Sequence, residues 1–322
     1  MNRGKVSENI LRRSVLKDIK VNKDVITGAA FGEDCAILNC KGTTAVSQAI
    51  GSKAEGGALA LIRAVNNLAS AGYKFAFASV VLAFSEDTDE DEIKYTQKQM
   101  IKKAEELGGT IVGGQTEICN FVKETLVTVT VVGEKIGAFD ISKKNIKAGD
   151  SIIATKYIGL EGGAILYREV KDKLSAEFDE GFLERLAFYD NWLSVSEEGE
   201  IGATFQVKAM KDVSEKGIFN ALWELGSAAS MGLRVNLKDI PVRQELIEIS
   251  NFLNINPYEM KSSGMMLMVT DRPSELINVL TKKDIPAALI GCFTDNNDRV
   301  VVNEDEERHL EKIKQDEIYK II

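Results

Sequence analysis

Two stretches far apart in the chain, Phe31-Gly32-Glu33-Asp34-Cys35-Ala36-Ile37 and Ile111-Val112-Gly113-Gly114-Gln115-Thr116-Glu117, share one make-up: glycines beside acidic or amide side chains where an apolar run ends. Glycine lets a backbone come close to a phosphate, and a neighbouring carboxylate can hold the magnesium that neutralises it. Such halves act as one nucleotide site only if the fold carries both to one cleft, which constrains how the chain can be arranged. Neither stretch is a P-loop or a dinucleotide fingerprint. A third stretch, Met210-Lys211-Asp212-Val213-Ser214-Glu215-Lys216-Gly217, has a similar character.

At 322 residues the chain is long for one hydrophobic core and comfortable for two domains. Its net charge of −9 argues against sequence-independent nucleic-acid binding, which depends on phosphate neutralisation by Lys and Arg. No apolar run approaches the roughly 20 residues of a membrane span, and Met1-Asn2-Arg3-Gly4-Lys5 leads into no signal-peptide core. A cytoplasmic protein that binds neither membrane nor nucleic acid is expected. Cys35, Cys40, Cys119 and Cys292 form no C-x-x-C pair and read as free thiols. The single histidine, His309, lies in a charged run and reads as a solvated helix residue, so a histidine-based zinc site and a Ser-His-Asp triad are set aside.

Periodicity predicts helices over 7–19, 55–71 and 93–107, the last entered through the acidic run Ser85–Glu92, whose charges suit the positive end of a helix dipole. Strands are expected over 29–38, 43–50, 74–84, 110–112 and 125–132. The lysine-rich run 141–150 places a domain boundary near Lys147, giving domains 1–147 and 148–322. Beyond it come a strand at 151–155, helices at 162–170, 217–231 and 273–282, a helical region at 176–196, and strands at 265–269 and 287–293. Both halves mix strands and helices without strict βα alternation, so the class is α+β.

Five segments carry a resemblance to a known family. Gly32-Glu33-Asp34-Cys35-Ala36 resembles Gly-Asp-Asp-Ala-Ala, and Val65–Gly72 resembles Val-Asn-Asp-Leu-Ala-x-x-Gly. Gly113-Gly114-Gln115-Thr116 resembles Gly-Gly-Asp-Thr, Met210–Glu215 resembles Met-x-Asp-Val-Thr-Glu, and Ser262-Ser263-Gly264 is similar to a late Ser-Ser-Gly. These are marks of the aminoimidazole ribonucleotide (AIR) synthase superfamily, which includes selenophosphate synthetase, thiamine-monophosphate kinase and the carbamoyl-dehydrating hydrogenase maturation factor. Lys5–Glu8 and the stretch 240–263 look closest to the hydrogenase-maturation branch. The resemblance implies a ferredoxin-like first domain that dimerises into a shared β-barrel and an α/β second domain packed on it. It also implies ATP in a cleft near the interface, magnesium held by acids, a small-molecule substrate and a maturation partner protein.

Carried over residue by residue, the resemblance assigns Asp34, Asn67, Gly113, Gly114, Gln115 and Thr116 to the nucleotide, and Asp34, Glu117 and Asp212 to metal; Lys53, beside a loop, is a candidate phosphate partner in its own right. Asp212 has a second reading, as the N-cap of the helix entered through Gly217. Lys216 is a further phosphate candidate, and Glu161-Gly162-Gly163 opens a helix whose N-terminus suits an anion. Three of the family's acids fall at Gln48, Asn67 and Gln115, amides that keep the shape and lose the charge. Weakened magnesium–nucleotide binding is therefore expected. The branch's carbamoyl-bearing tail cysteine has no counterpart in 313–322, the last cysteine being Cys292. Two functions of different class follow: an ATP-dependent phosphoryl-transfer enzyme acting on a small substrate, or a nucleotide-binding scaffold without turnover.

Overall fold

The computed structural model describes residues 8–10, 12, 25–27, 30–33, 36–39, 43–52 and 57–322. Asp34, Cys35, Cys40 and Lys53 lie outside them, as does most of the helix expected over 7–19. Its elements begin with α1 (Glu8–Ile10), β1 (Val25–Thr27), β2 (Ala36–Asn39), β3 (Thr43–Ser52), α2 (Gly57–Ser70), β4 (Tyr73–Phe84), α3 (Glu90–Glu106), β5 (Thr110–Ile118) and β6 (Leu126–Lys135). The strands form one sheet in the order β1-β2-β3-β6-β4-β5. It is antiparallel except at β4–β5. No closed barrel forms among the described residues; β1 and β5 are edges.

A second sheet takes β7 (Ser151–Thr155), β8 (Ala209–Val213), β9 (Gly232–Asn236), β10 (Met265–Thr270), β11 (Ala287–Thr294), β12 (Arg299–Asn303) and β13 (Glu306–His309), in the order β13-β12-β9-β11-β7-β10-β8. Around it run α4 (Leu160–Leu174), α5 (Glu180–Ala187), α6 (Ser196–Phe205), α7 (Gly217–Ala229), α8 (Gln244–Leu253) and α9 (Pro273–Thr281). Strands β8 and β10 are buried at every position; β10 is the nearly continuous apolar run that a strand covered on both faces should be, whereas β8 buries Lys211 and Asp212. Alternate residues feed opposite layers: Met265, Leu267 and Val269 enter the larger core, and Met266 and Met268 enter the smaller one with Leu276 and Leu280 of α9. The α+β class therefore holds. No described helix is long and apolar enough to cross a membrane.

Helix α2 explains how the two sheets meet. Ten of its fourteen residues are buried, the pattern of a helix enclosed on all sides rather than one lying on a surface. Ala60, Leu61, Ala64, Val65 and Leu68 enter the core of the first sheet. Leu59 and Ile62 enter the large core of the second, and Ala69 the small one. Asn66, fully buried, turns its amide to the segment between α5 and α6: Nδ2 donates to the Leu193 carbonyl at 2.8 Å and Oδ1 accepts from the Val195 N–H at 3.0 Å.

Several expectations change in the structure. The strand expected at 110–112 continues to Ile118, because β5 pairs in parallel with β4 through Gly113 and Gly114. At Gly114 a Cβ would lie 1.7 Å from the Val80 carbonyl oxygen, so this close approach admits only glycine. His309 ends strand β13 and is exposed, not helical. The region 176–196 splits into α5, a 3₁₀ turn at Phe188–Trp192 and the start of α6. The acidic run does cap α3: the Asp89 side chain accepts from the Glu92 N–H at 2.8 Å. Cys119 and Cys292 are free thiols.

Replacing Asn66 by Ala should leave the Leu193 carbonyl and the Val195 N–H buried without partners. The expected loss is about 2–4 kcal/mol in urea unfolding; a loss below about 0.5 kcal/mol would show that the amide holds nothing.

Candidate functional site

The third motif is the best-placed of the three. Asp212 sits inside β8, opposite Met266, and is 2% exposed; the strand continues through it, so it does not cap α7. The N-cap position of α7 is Lys216, in left-handed conformation and without a side-chain cap. The turn closes at Gly217, where φ is +67° and a Cβ would lie 2.3 Å from the Tyr258 carbonyl oxygen, a geometry that only glycine meets without strain.

Glu224 of α7 joins the first motif to the third. Its carboxylate pairs with Lys211, the neighbour of Asp212, at 2.9 Å, and both partners are largely buried. Its carbonyl oxygen lies 3.0 Å from where a Cβ of Gly32 would stand, so the described flank of the first motif rests on this turn of α7. Next to it, the Lys143 ammonium pairs with the Glu33 carboxylate at 3.0 Å. Sequence elements nearly 180 residues apart thus share one neighbourhood.

The second motif behaves differently. Across the first sheet, Gln115 of β5 aligns with Val81, Thr128 and Ile50, while Gln48 of β3 aligns with Thr130, Ser79 and Gly113. Gln48, Gln115, Thr116 and Glu117 are all exposed, and Gln115 Nε2 donates to Glu117 Oε1 at 2.8 Å. Gln48 and β5 are separated by three strand spacings, about 14 Å, too far to share one metal ion. Asn67 lies on α2, beneath the opposite face of the sheet, where its Nδ2 donates to Ser47 Oγ at 2.9 Å. Within one chain the structure therefore joins the first and third motifs and leaves Gly113–Glu117 on an exposed edge strand. Of the three residues expected to hold metal, Glu117 is exposed on the first sheet, Asp212 is buried in the second, and Asp34 is outside the described residues. Among the described residues no group of three His, Cys, Asp or Glu side chains is placed to hold a metal ion.

A polar cluster that the motifs did not single out lies where α2 meets the second sheet. Arg63 projects from α2, one turn before Asn67; its guanidinium donates to the Ile50 carbonyl at 3.2 Å and pairs with Glu161 at the start of α4. Glu161 is 1% exposed. Burial pushes its carboxyl up, but the Arg63 guanidinium, the Lys261 ammonium and the Ser263 hydroxyl together more than reverse this, holding it below the ordinary carboxylate value. The loops around it are sewn together: Ser262 Oγ accepts from Gly159 N–H at 2.7 Å, Lys261 O from Gly162 N–H at 2.9 Å, and Ser214 O from Ser262 N–H at 3.1 Å. Glu161-Gly162-Gly163 does open α4, but its N-terminal turn faces an internal carboxylate and the Ser-Ser-Gly loop. Spacing offered one clue to Arg63, its position four residues before Asn67 on one helix face.

Among the described residues, two concavities stand out as of ligand size. One, about 800 Å³, lies between the sheets and is lined by Ile62, Lys74, Lys103, Tyr157, Trp192 and Glu198, among others. Its wall includes the Lys156 ammonium, which reaches Glu198 and the Ser194 carbonyl, each at 2.6 Å. The other, about 750 Å³, is framed by Phe219, Glu259 and residues 308–320. Neither is lined by Asn67, Gln115 or Asp212.

The sequence matches two family models: the N-terminal domain of AIR synthase related proteins over residues 27–135, and the C-terminal domain over 147–303. The chain belongs to the AIR synthase related family. A chain from Methanocaldococcus jannaschii named for hydrogenase expression and formation is 23% identical over 314 residues, 93% of this chain and 91% of that one. Among solved structures, HypE in the HypE–HypF complex superposes with a TM-score of 0.78 at 20% identity, covering 94% of this chain and 99% of the other. HypE in complex with ATP gives 0.73 at 19% identity, covering 98% and 97%.

The Arg63–Glu161 pair yields a test. Because the Glu161 pKa is lowered in the fold, its stabilisation is present above the unfolded value of about 4.3 and lost as pH falls through the folded value. Arg63→Met should cost about 3–5 kcal/mol at pH 7 by leaving a buried charge uncompensated. In that variant urea unfolding should show stability recovering, not falling, as pH drops toward 4.

Proposed function

We propose that this protein binds ATP where its first and third motifs meet and transfers a phosphoryl group to an oxygen of a small substrate. The observation that carries this reading is Glu224, whose carbonyl abuts Gly32 while its carboxylate pairs with Lys211 beside Asp212. Two glycine-flanked acidic motifs then border one region, as a polyphosphate site requires. Further support comes from the family and from a similar fold solved with ATP. Phosphoryl transfer asks for positioning and charge neutralisation more than covalent work, and a lysine-bearing buried cluster is suited to that. Magnesium would supply neutralisation of phosphate charge, with Asp34 and Asp212 as its closest candidates. With amides at Gln48, Asn67 and Gln115, its binding is weaker than carboxylates would give.

We further propose a homodimer, with 1–147 and 148–322 as the two domains of each chain. The outward face of the first sheet supports this: Ile50, Phe77 and Val81 are 60%, 48% and 43% exposed on one face, and Val112 and Ile118 flank it on the open edge. Pairing through that face would bring Gln115 and Glu117 of one chain toward the other, the one arrangement that returns the second motif to the site. The HypE–HypF complex supports a maturation partner protein as well.

The scaffold reading rests on the three amides and on the absence of the second motif from the single-chain site. Phosphate release decides between them. The enzyme reading expects steady release from ATP that falls at least about tenfold in Asp34→Asn at unchanged fold; ATP binding by both proteins without release would leave the scaffold. Asn67→Asp should tighten Mg-ATP binding in calorimetry. Phe77→Asp should convert a dimer to a monomer in light scattering, and a wild-type monomer would remove the dimer outright.

A further inference from the structure

The C-terminal segment is tied to the second sheet's motif loops by one side chain. Asp316, 1% exposed, accepts from three main-chain N–H groups: Lys216 at 2.5 Å, Lys261 at 3.3 Å and Ile318 at 3.0 Å. Lys216, next to last in the third motif, stands at the N-cap of α7, and Lys261 immediately precedes Ser262-Ser263-Gly264. One carboxylate therefore bridges two loops, and those loops are also bonded to each other through Ser262 N–H and the Ser214 carbonyl. Beside it the segment forms a short 3₁₀ turn at Glu317–Lys320, where Glu317 accepts from Asn256 N–H at 3.0 Å and the Lys261 ammonium lies 5.2 Å from the Tyr319 ring centre. The segment itself, with Phe219 and Glu259, lines the cavity of about 750 Å³, so open space lies directly beside it.

We propose that residues 316–320 are a releasable strap, fastened by Asp316, whose detachment frees the loops 214–217 and 258–264 to move. Burial raises the Asp316 carboxyl; the N–H groups of Lys216 and Ile318 and the Lys261 ammonium pull it down, and the Glu215 carboxylate pushes it up again, leaving it at about 6. Glu259 and Glu317 add negative charge on the same side of the segment, and Lys320 offsets part of it by pairing with Glu317. A carboxyl of higher pKa in the fastened state than when free favours fastening when protonated, so the strap loosens as pH rises. From about 6 fastened and about 3.9 free, the fastening equilibrium should weaken roughly tenfold between pH 5 and pH 7.

This inference stands apart from the nucleotide reading, since it concerns motion alone. It is tested by backbone hydrogen exchange, corrected for intrinsic rates, over 212–219, 256–264 and 314–320. Wild type should lose protection in all three segments together between pH 5 and pH 7. Asp316→Asn keeps an acceptor that cannot ionise and should abolish that pH dependence, while Asp316→Ala should unprotect all three at both pH values. Loss confined to 314–320 in Asp316→Ala, or wild-type protection that rises with pH, overturns the proposal.

Discussion

Everything that brings the motifs near one another depends on helix α2 being buried on both sides. A helix lying on one sheet needs a single apolar stripe; α2 is apolar nearly all round and spends its second stripe on the other sheet. Burial of that kind is non-directional and would tolerate many docking angles. Asn66 and Arg63 remove the freedom, because a buried amide or guanidinium out of register would strand its partners. Asn66 and Arg63 thus restrict how the two sheets can dock across a helix whose other buried positions are mostly apolar.

The site so formed is more carefully built in its second half than in its first. Loops 159–162, 214–217 and 258–264 are cross-bonded main chain to main chain or through Ser262, and Glu161 brings negative charge into their midst against Arg63 and Lys261. On and beneath the first sheet the amides at 48, 67 and 115 satisfy neighbours within the protein or face water. An amide pairs with a hydroxyl or a carboxylate where a carboxylate would seek a cation, and Gln115 and Asn67 do so with Glu117 and Ser47. The structure therefore presents tightly cross-bonded loops on the second sheet, and amides rather than carboxylates at 48, 67 and 115.

What the sequence revealed and what it hid divide along physical lines. The spacing of Leu59, Ile62, Val65 and Leu68 made α2 legible, and the Asp89 cap was legible from acids at a helix start. Strand β5 was cut short because Gly113-Gly114 read as part of a phosphate loop, whereas parallel pairing with β4 demands a residue without a side chain at Gly114. Helix α6 was missed, since Gly199 and Gly202 weaken its intrinsic propensity; at Gly199 a Cβ would lie 2.7 Å from that of Ala69 on α2. Asp212 read equally as a cap or a ligand because nothing local told that β8 runs through it. Glu161 and Lys216 were found, but their partners, Arg63 and Asp316, sit about a hundred residues away, beyond any local pattern.

Two-sided burial of α2 also carries a consequence for synthesis. The partners of its second face include Glu161, Leu193, Val195 and strand β8, the last of which leaves the ribosome some 140 residues after the helix itself. At 5–20 residues per second, the nascent chain carries an uncovered apolar helix for roughly 7 to 30 seconds. During that interval Leu59, Ile62 and Ala69 are an uncovered apolar surface, and only completion of the second sheet takes them out of water.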